Sequence, residues 1–152
     1  MEIERKYLIK DPEQMPADLD EFPFHRIEQA YLTTDPVIRV RKEDDSYYMT
    51  YKGRGLIARE EVNLPLTKEA YDTLLSKAEG NIISKKRVLI PYRKYTIELD
   101  IFDPPFAPLI LAEVEFESME EAKMFQEPTW FGNDVSEDTR YHNSTMSRQI
   151  FP

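Results

Sequence analysis

The chain has 152 residues, 41% hydrophobic and 12% aromatic, with no cysteine and a formal net charge of -9. This is enough apolar chain for one core in a single domain, residues 1–152, with no apolar run of membrane-spanning length and with acidic Glu2 and Glu4 where a signal peptide would begin. Disulfides, thiolate nucleophiles and cysteine-based zinc sites are excluded, an acidic surface argues against duplex nucleic acid, and a cytoplasmic setting is expected.

The first element is an extended run, Glu2 to Ile9, in which Glu2, Glu4 and Lys6 share one strand face and Ile3, Arg5 and Tyr7 the other. Asp11-Pro12 predicts a short capped helix, limited by Pro16 and Pro23. Extended segments follow at 25–32, 37–41, 47–52 and 56–64, separated by Thr33 to Pro36, by Asp44-Asp45-Ser46 and by the Gly53/Gly55 turn. They put Arg39 beside Arg41, Tyr48 beside Thr50 and Lys52, and Arg59 beside Glu61. Tyr71, Leu74, Leu75 and Ala78 form the stripe of an amphipathic helix over 67–79, capped by Thr67 and stopped by Gly80-Asn81. Strands resume at 82–90, 95–102 and 109–116, pairing Lys85 with Arg87, Glu98 with Asp100 and Glu113 with Glu115. Ser118 and Glu121 form a capping box for a short helix that ends before Pro128, and a last helix is expected at 143–149.

One device recurs throughout: two charges two residues apart, with apolar residues on the opposite face. A solvated sheet face would account for it, but such a face usually mixes Thr, Ser and Gln with its charges and alternates their sign. Here the charges are sorted by strand, some basic and some acidic. The second reading is a barrel with a polar interior, in which basic strands wrap an anion and acidic strands hold divalent cations against it. Carboxylates with only two histidines in the chain favour Mg²⁺ or Mn²⁺ over zinc. Pattern alone leaves both readings open.

The opening EIERKYLI resembles the Glu-x-Glu-x-Lys signature of the CYTH domain, or triphosphate tunnel metalloenzyme, family. RVR at Arg39 to Arg41, TYK ending at Lys52, REE at Arg59 to Glu61, KKR at Lys85 to Arg87, ELD at Glu98 to Asp100 and EVE at Glu113 to Glu115 follow in that family's order. The closing stretch from Asp134 to Asn143 resembles its C-terminal segment.

The resemblance implies an α+β, mainly β protein: an eight-stranded antiparallel barrel forming a tunnel, flanked by helices. It also implies hydrolysis of a triphosphate. Inorganic tripolyphosphate is the leading substrate; the alternatives are a nucleoside or thiamine triphosphatase, a class IV-type adenylyl cyclase and a non-catalytic polyphosphate-binding module. Lys6, Arg39, Arg41, Lys52, Arg59, Lys85 and Arg87 would grip phosphate. Glu2, Glu4, Glu113 and Glu115 would hold two Mg²⁺ or Mn²⁺ ions and carry catalysis, with Glu61, Glu98 and Asp100 around the metal. Tyr141 would close the tunnel mouth. His25 and His142 are expected to be structural or surface residues rather than bases, Tyr31, Tyr48 and Phe102 to pack rather than to stack on substrate, and Arg5 to face outward by parity. No membrane partner is expected, and a homodimer is left open.

Overall fold

A computed structural model describes residues 1–151. Its nine strands are β1 (Glu2–Leu8), β2 (Phe24–Thr34), β3 (Val37–Glu43), β4 (Ser46–Lys52), β5 (Ala58–Arg59), β6 (Glu61–Pro65), β7 (Glu79–Tyr92), β8 (Tyr95–Phe102) and β9 (Ile110–Glu115). All pair antiparallel in one sheet of order β5-β1-β9-β8-β7-β2-β3-β4-β6.

The ninth strand arises because the segment expected as one strand over 56–64 breaks at Glu60. β5 pairs with β1, setting Arg59 opposite Glu2, and β6 pairs with β4, setting Glu61 opposite Lys52. These two consecutive pieces stand at opposite ends of the sheet order, so the chain at Glu60 bridges the seam and nearly closes the barrel. Gly55 makes the turn into β5 with φ +141°, where an added Cβ would lie 2.1 Å from the Ala58 carbonyl oxygen.

Beyond β5, the same edge of β1 is covered by the tail, while β9 pairs along the opposite edge. Gly132 N–H donates to the Leu8 carbonyl (2.7 Å), Leu8 N–H to that of Asn133 (2.9 Å) and Val135 N–H to that of Lys6 (2.8 Å). Arg5 faces outward as its parity requires, donating to Asp134 (3.1 and 2.7 Å) and to the Ala122 carbonyl (2.7 Å).

Apolar side chains cover the outside of the sheet in three clusters. α1 (Lys68–Lys77) sets Tyr71 against Ala30 and Val40. α2 (Met119–Met124) sets Ala122 beside Tyr7, Leu99 and Val114, and the 3-10 turns at Pro12–Gln14 and Leu19–Glu21 cap that cluster through Met15 and Leu19. α3 (Asn143–Met146) brings Met146 to Ile83, Phe102 and Leu111. The capping residues act as expected: the Thr67 hydroxyl accepts from Ala70 N–H and that of Ser118 from Glu121 N–H, both at 3.1 Å.

Several boundaries differ from expectation. α1 stops at Lys77 and β7 begins at Glu79, because Gly80 (φ +78°) lets the Ser147 carbonyl approach to 2.2 Å from where a Cβ would stand. The last helix ends at Met146, three residues early.

Candidate active site

Alternate residues of a strand face one side, and in this barrel the charged side is the inside. The interior forms a tunnel of about 370 Å³. Glu2, Glu4 and Lys6 enter it from β1, Arg39 and Arg41 from β3, Lys52 from β4, Arg59 from β5 and Glu61 from β6. Lys85 and Arg87 of β7, Glu98 of β8 and Glu113 and Glu115 of β9 complete it. Asp100 alone of the predicted residues does not line the open space: it shares the inner face with Glu98 but is fully buried against Lys85 and Arg87, with Lys85 Nζ at 2.7 Å and Arg87 Nε and Nη2 at 2.7 and 2.9 Å.

The cations are held by one another's counter-charges. Arg87 also reaches Glu98 (3.0 Å) and Glu113 (3.1 Å), and Lys6 Nζ meets Glu113 at 3.2 Å. Lys52 Nζ lies 3.0 Å from Glu2 and 3.4 Å from Glu61. Burial pushes the Glu113 carboxyl up, but the Lys6 and Arg87 charges overcome it and hold the group well below the usual carboxylate range. Asp100 is likewise lowered by Arg87 and Lys85 against its burial.

A different acidic group gathers at the N-terminal strand. Ligand oxygens of Glu2, Glu4 and Glu115 all lie within 4.8 Å of one another. Burial pushes each of these carboxyls up to about 7, with repulsion from Glu113 and Glu2 adding to it at Glu4 and from Glu98 and Glu4 at Glu115. Glu61, bonded to Glu2 and facing Lys52, goes the other way, down to about 2 despite its burial. Three oxygen donors without nitrogen or sulfur suit a hard divalent cation such as Mg²⁺ or Mn²⁺, so this donor set fits the implied metal. Glu113, predicted with the trio, sits instead between Lys6 and Arg87.

Several tunnel residues were missed or misread in the sequence. Tyr31 packs as expected, buried with Ile83 and Phe102, but it and Tyr48 also line the tunnel: the Tyr31 hydroxyl accepts from Gln29 Nε2 (3.0 Å), and that of Tyr48 from Arg41 Nη1 (3.2 Å). Phe102 does pack, buried beneath Lys85. Asn63, Glu43, Asn143 and Ser144 also line the tunnel. Parity offered a signal for Asn63 and Glu43, two residues beyond Glu61 and Arg41, but no charge pattern marked the neutral residues.

Tyr141 differs from its expected place. Its ring packs against the cluster of Phe106 and Met146, and it reaches the tunnel through its carbonyl, which accepts from Lys6 Nζ (3.0 Å). His25 bonds exposed Asp44 (2.5 Å), outside the tunnel. His142, half-buried, is held below its ordinary value by burial and by the Lys6 charge.

The sequence profile of the CYTH domain matches residues 1–148. A protein of Nitrosomonas europaea named inorganic triphosphatase is 35% identical, over 98% of each chain. One of the same name from Acetivibrio thermocellus is 30% identical, over 99% of this chain and 95% of that one. Among solved structures, the inorganic triphosphatase NE1496 superimposes with a TM-score of 0.71 at 33% identity, covering 99% of this chain and 96% of that one. From strand order to tunnel charges, the chain belongs to the CYTH domain family.

Proposed function

We propose that this chain is a divalent-metal-dependent hydrolase that cleaves inorganic tripolyphosphate to pyrophosphate and phosphate. The observation that carries the proposal is a tunnel in which basic side chains face a trio of carboxylates, in a chain 35% identical to a protein named inorganic triphosphatase. Residues 1–152 act as one unit, since the single sheet takes strands from both halves of the chain.

Lys6, Arg39, Arg41, Lys52, Arg59, Lys85 and Arg87 bind the anion, the arginines through planar forks and the lysines as point charges. Glu2, Glu4 and Glu115 would hold one Mg²⁺ or Mn²⁺, and Glu61 and Glu98, facing the same tunnel, would serve a second. When bound, such an ion supplies charge neutralisation on phosphate oxygens and lowers the pKa of water. Glu113 and Asp100 act through the cations they touch, holding Lys6, Lys85 and Arg87 at fixed positions. In the net reaction water adds to the terminal phosphorus, the bridging P–O bond breaks, and pyrophosphate leaves with a proton released. The protein's part is position and field rather than a covalent bond.

The proposal extends to setting and assembly. A cysteine-free chain with no helix long and apolar enough to cross a membrane supports a cytoplasmic location. Support for a homodimer is the outer edge of β6, unpaired among the described residues and flanked by exposed Val62 and Leu64.

The test is direct. Purified protein is given tripolyphosphate, ATP or thiamine triphosphate with Mg²⁺ or Mn²⁺, and the products are identified. Release of phosphate from tripolyphosphate at least about tenfold above ATP is expected. Cyclic AMP from ATP, or equal turnover of all three, would overturn the assignment.

A further inference from the structure

The tunnel's cations are not equally balanced. Lys6, Lys52, Lys85 and Arg87 each have a carboxylate within 3.4 Å. The two β3 arginines have neutral partners instead. Arg41 Nε and Nη2 both donate to the amide oxygen of Gln29, at 2.8 and 2.5 Å, and the nearest carboxylate, Glu43, is 4.0 Å away. Arg39 Nη2 donates to the Thr50 hydroxyl (3.0 Å), and its Nε is buried without a partner.

Gln29 is fully buried and cannot turn its amide round. Its Nε2 donates to the Tyr31 hydroxyl (3.0 Å) and to Asn143 Oδ1 (3.3 Å), so its oxygen is fixed on the guanidinium. Asn143 Oδ1 also receives Lys85 Nζ (3.1 Å), which joins the amide to the neighbouring basic strand. A glutamate at position 29 would have the same shape and the same acceptor, but would add a buried negative charge within 3 Å of Arg41. The amide keeps the geometry of a salt bridge without its charge.

We infer that Gln29 is a positioning residue for the substrate anion, aiming Arg41 into the tunnel while leaving its charge uncancelled. Thr50 does the same for Arg39. Two of the tunnel's weakly balanced cations are thereby set side by side on β3, opposite the strand of Glu2 and Glu4, with Arg59 of β5 a third that makes no ion pair among the described residues, and a phosphate chain is drawn to the β3 wall. This rests on the reading of the tunnel as a triphosphate site.

Gln29→Glu keeps the acceptor and adds a charge, whereas Gln29→Met removes the acceptor and adds none. Tripolyphosphate binding is measured by titration calorimetry in EDTA, with thermal melts alongside. The glutamate variant should melt at or above the methionine variant, yet bind at least about tenfold more weakly than wild type and more weakly than the methionine variant. A purely structural role requires the reverse order, since the glutamate keeps the acceptor on Arg41 that the methionine removes, while both variants lose the Nε2 donations to Tyr31 and Asn143.

Thr50→Asp repeats the test at Arg39 and serves if the position 29 variant fails to fold. Any folded carboxylate variant that binds within about twofold of wild type overturns the inference. Wild-type protein that neither binds nor cleaves tripolyphosphate overturns the functional reading instead, and this inference falls with it.

Discussion

At the scale of single residues, the tunnel divides its carboxylates into two kinds by whether neighbouring cations outweigh burial. Glu113 and Asp100 touch lysine and arginine and stay ionised well below neutral pH. Glu2, Glu4 and Glu115 face each other and titrate near 7. A cation at the trio must compete with protons, so Mg²⁺ affinity should rise from pH 6 to pH 8 and then level off, measured by calorimetry. The metal-free protein should show the opposite linkage. Below about 4.5 the trio is protonated in folded and unfolded chains alike, whereas between 4.5 and 7 the unfolded chain gives up its protons first. Thermal stability in EDTA should therefore fall across that window, and Mg²⁺ should restore more of it at pH 8 than at pH 5. Affinity flat in pH would remove the trio as the metal site.

Replacing one member gives an independent check. Glu4→Gln and Glu115→Gln keep side-chain size but each remove a ligand charge. Each should lower turnover of tripolyphosphate by more than the roughly 10–100-fold that loss of an outer-shell partner costs. Near-full activity of either variant would show that the donors lie elsewhere.

At the scale of elements, β1 is the most heavily used strand. It pairs with β9 along one edge and with β5 and residues 132–135 along the other, so both edges are satisfied while its charged face lines the tunnel. The C-terminal segment is also held at a second point, where Asn81 N–H donates to the Ser147 carbonyl (2.6 Å) beside Gly80. Gly80→Ala would require a left-handed φ from alanine and a shift of that carbonyl, and should cost about 1–3 kcal/mol in urea denaturation. Gly53→Ala is the control: its nearest contact would be an ordinary 3.5 Å, and its effect should stay within about 0.5 kcal/mol. Equal effects would mean that the tail does not depend on the close approach at Gly80.

At the scale of the molecule, an overall acidic protein encloses a cluster of basic side chains, and low-dielectric walls focus their field on whatever enters. An anion bound only by the folded barrel should stabilise it by mass action. Tripolyphosphate at about 100 times its dissociation constant should add about 2.7 kcal/mol, read as a rise in melting temperature in EDTA. An unchanged melting temperature would mean that the tunnel does not bind the anion without metal.

The residues that carry charge into the tunnel were legible in the chain, because a strand's two-residue period sorts side chains by face whatever the sheet does next. Glu2, Glu4, Arg39, Arg41, Lys85 and Arg87 are all placed by that parity, and so is Arg5 on the outside. The same holds for Thr67 and Ser118, whose capping depends on neighbours three residues away. Parity could not say which charges would meet. That Glu113 joins Lys6 and Arg87 while Glu115 joins Glu2 and Glu4 follows from the register of β1 against β9 in the consecutive strands β7, β8 and β9, about a hundred residues further along the chain. Neutral Gln29 and Asn143, and the Tyr141 carbonyl on Lys6, carried no charge pattern at all. Their roles arise only where the folded tail crosses the barrel, since a hydrogen bond between residues more than a hundred positions apart exists only once the tertiary structure brings them together.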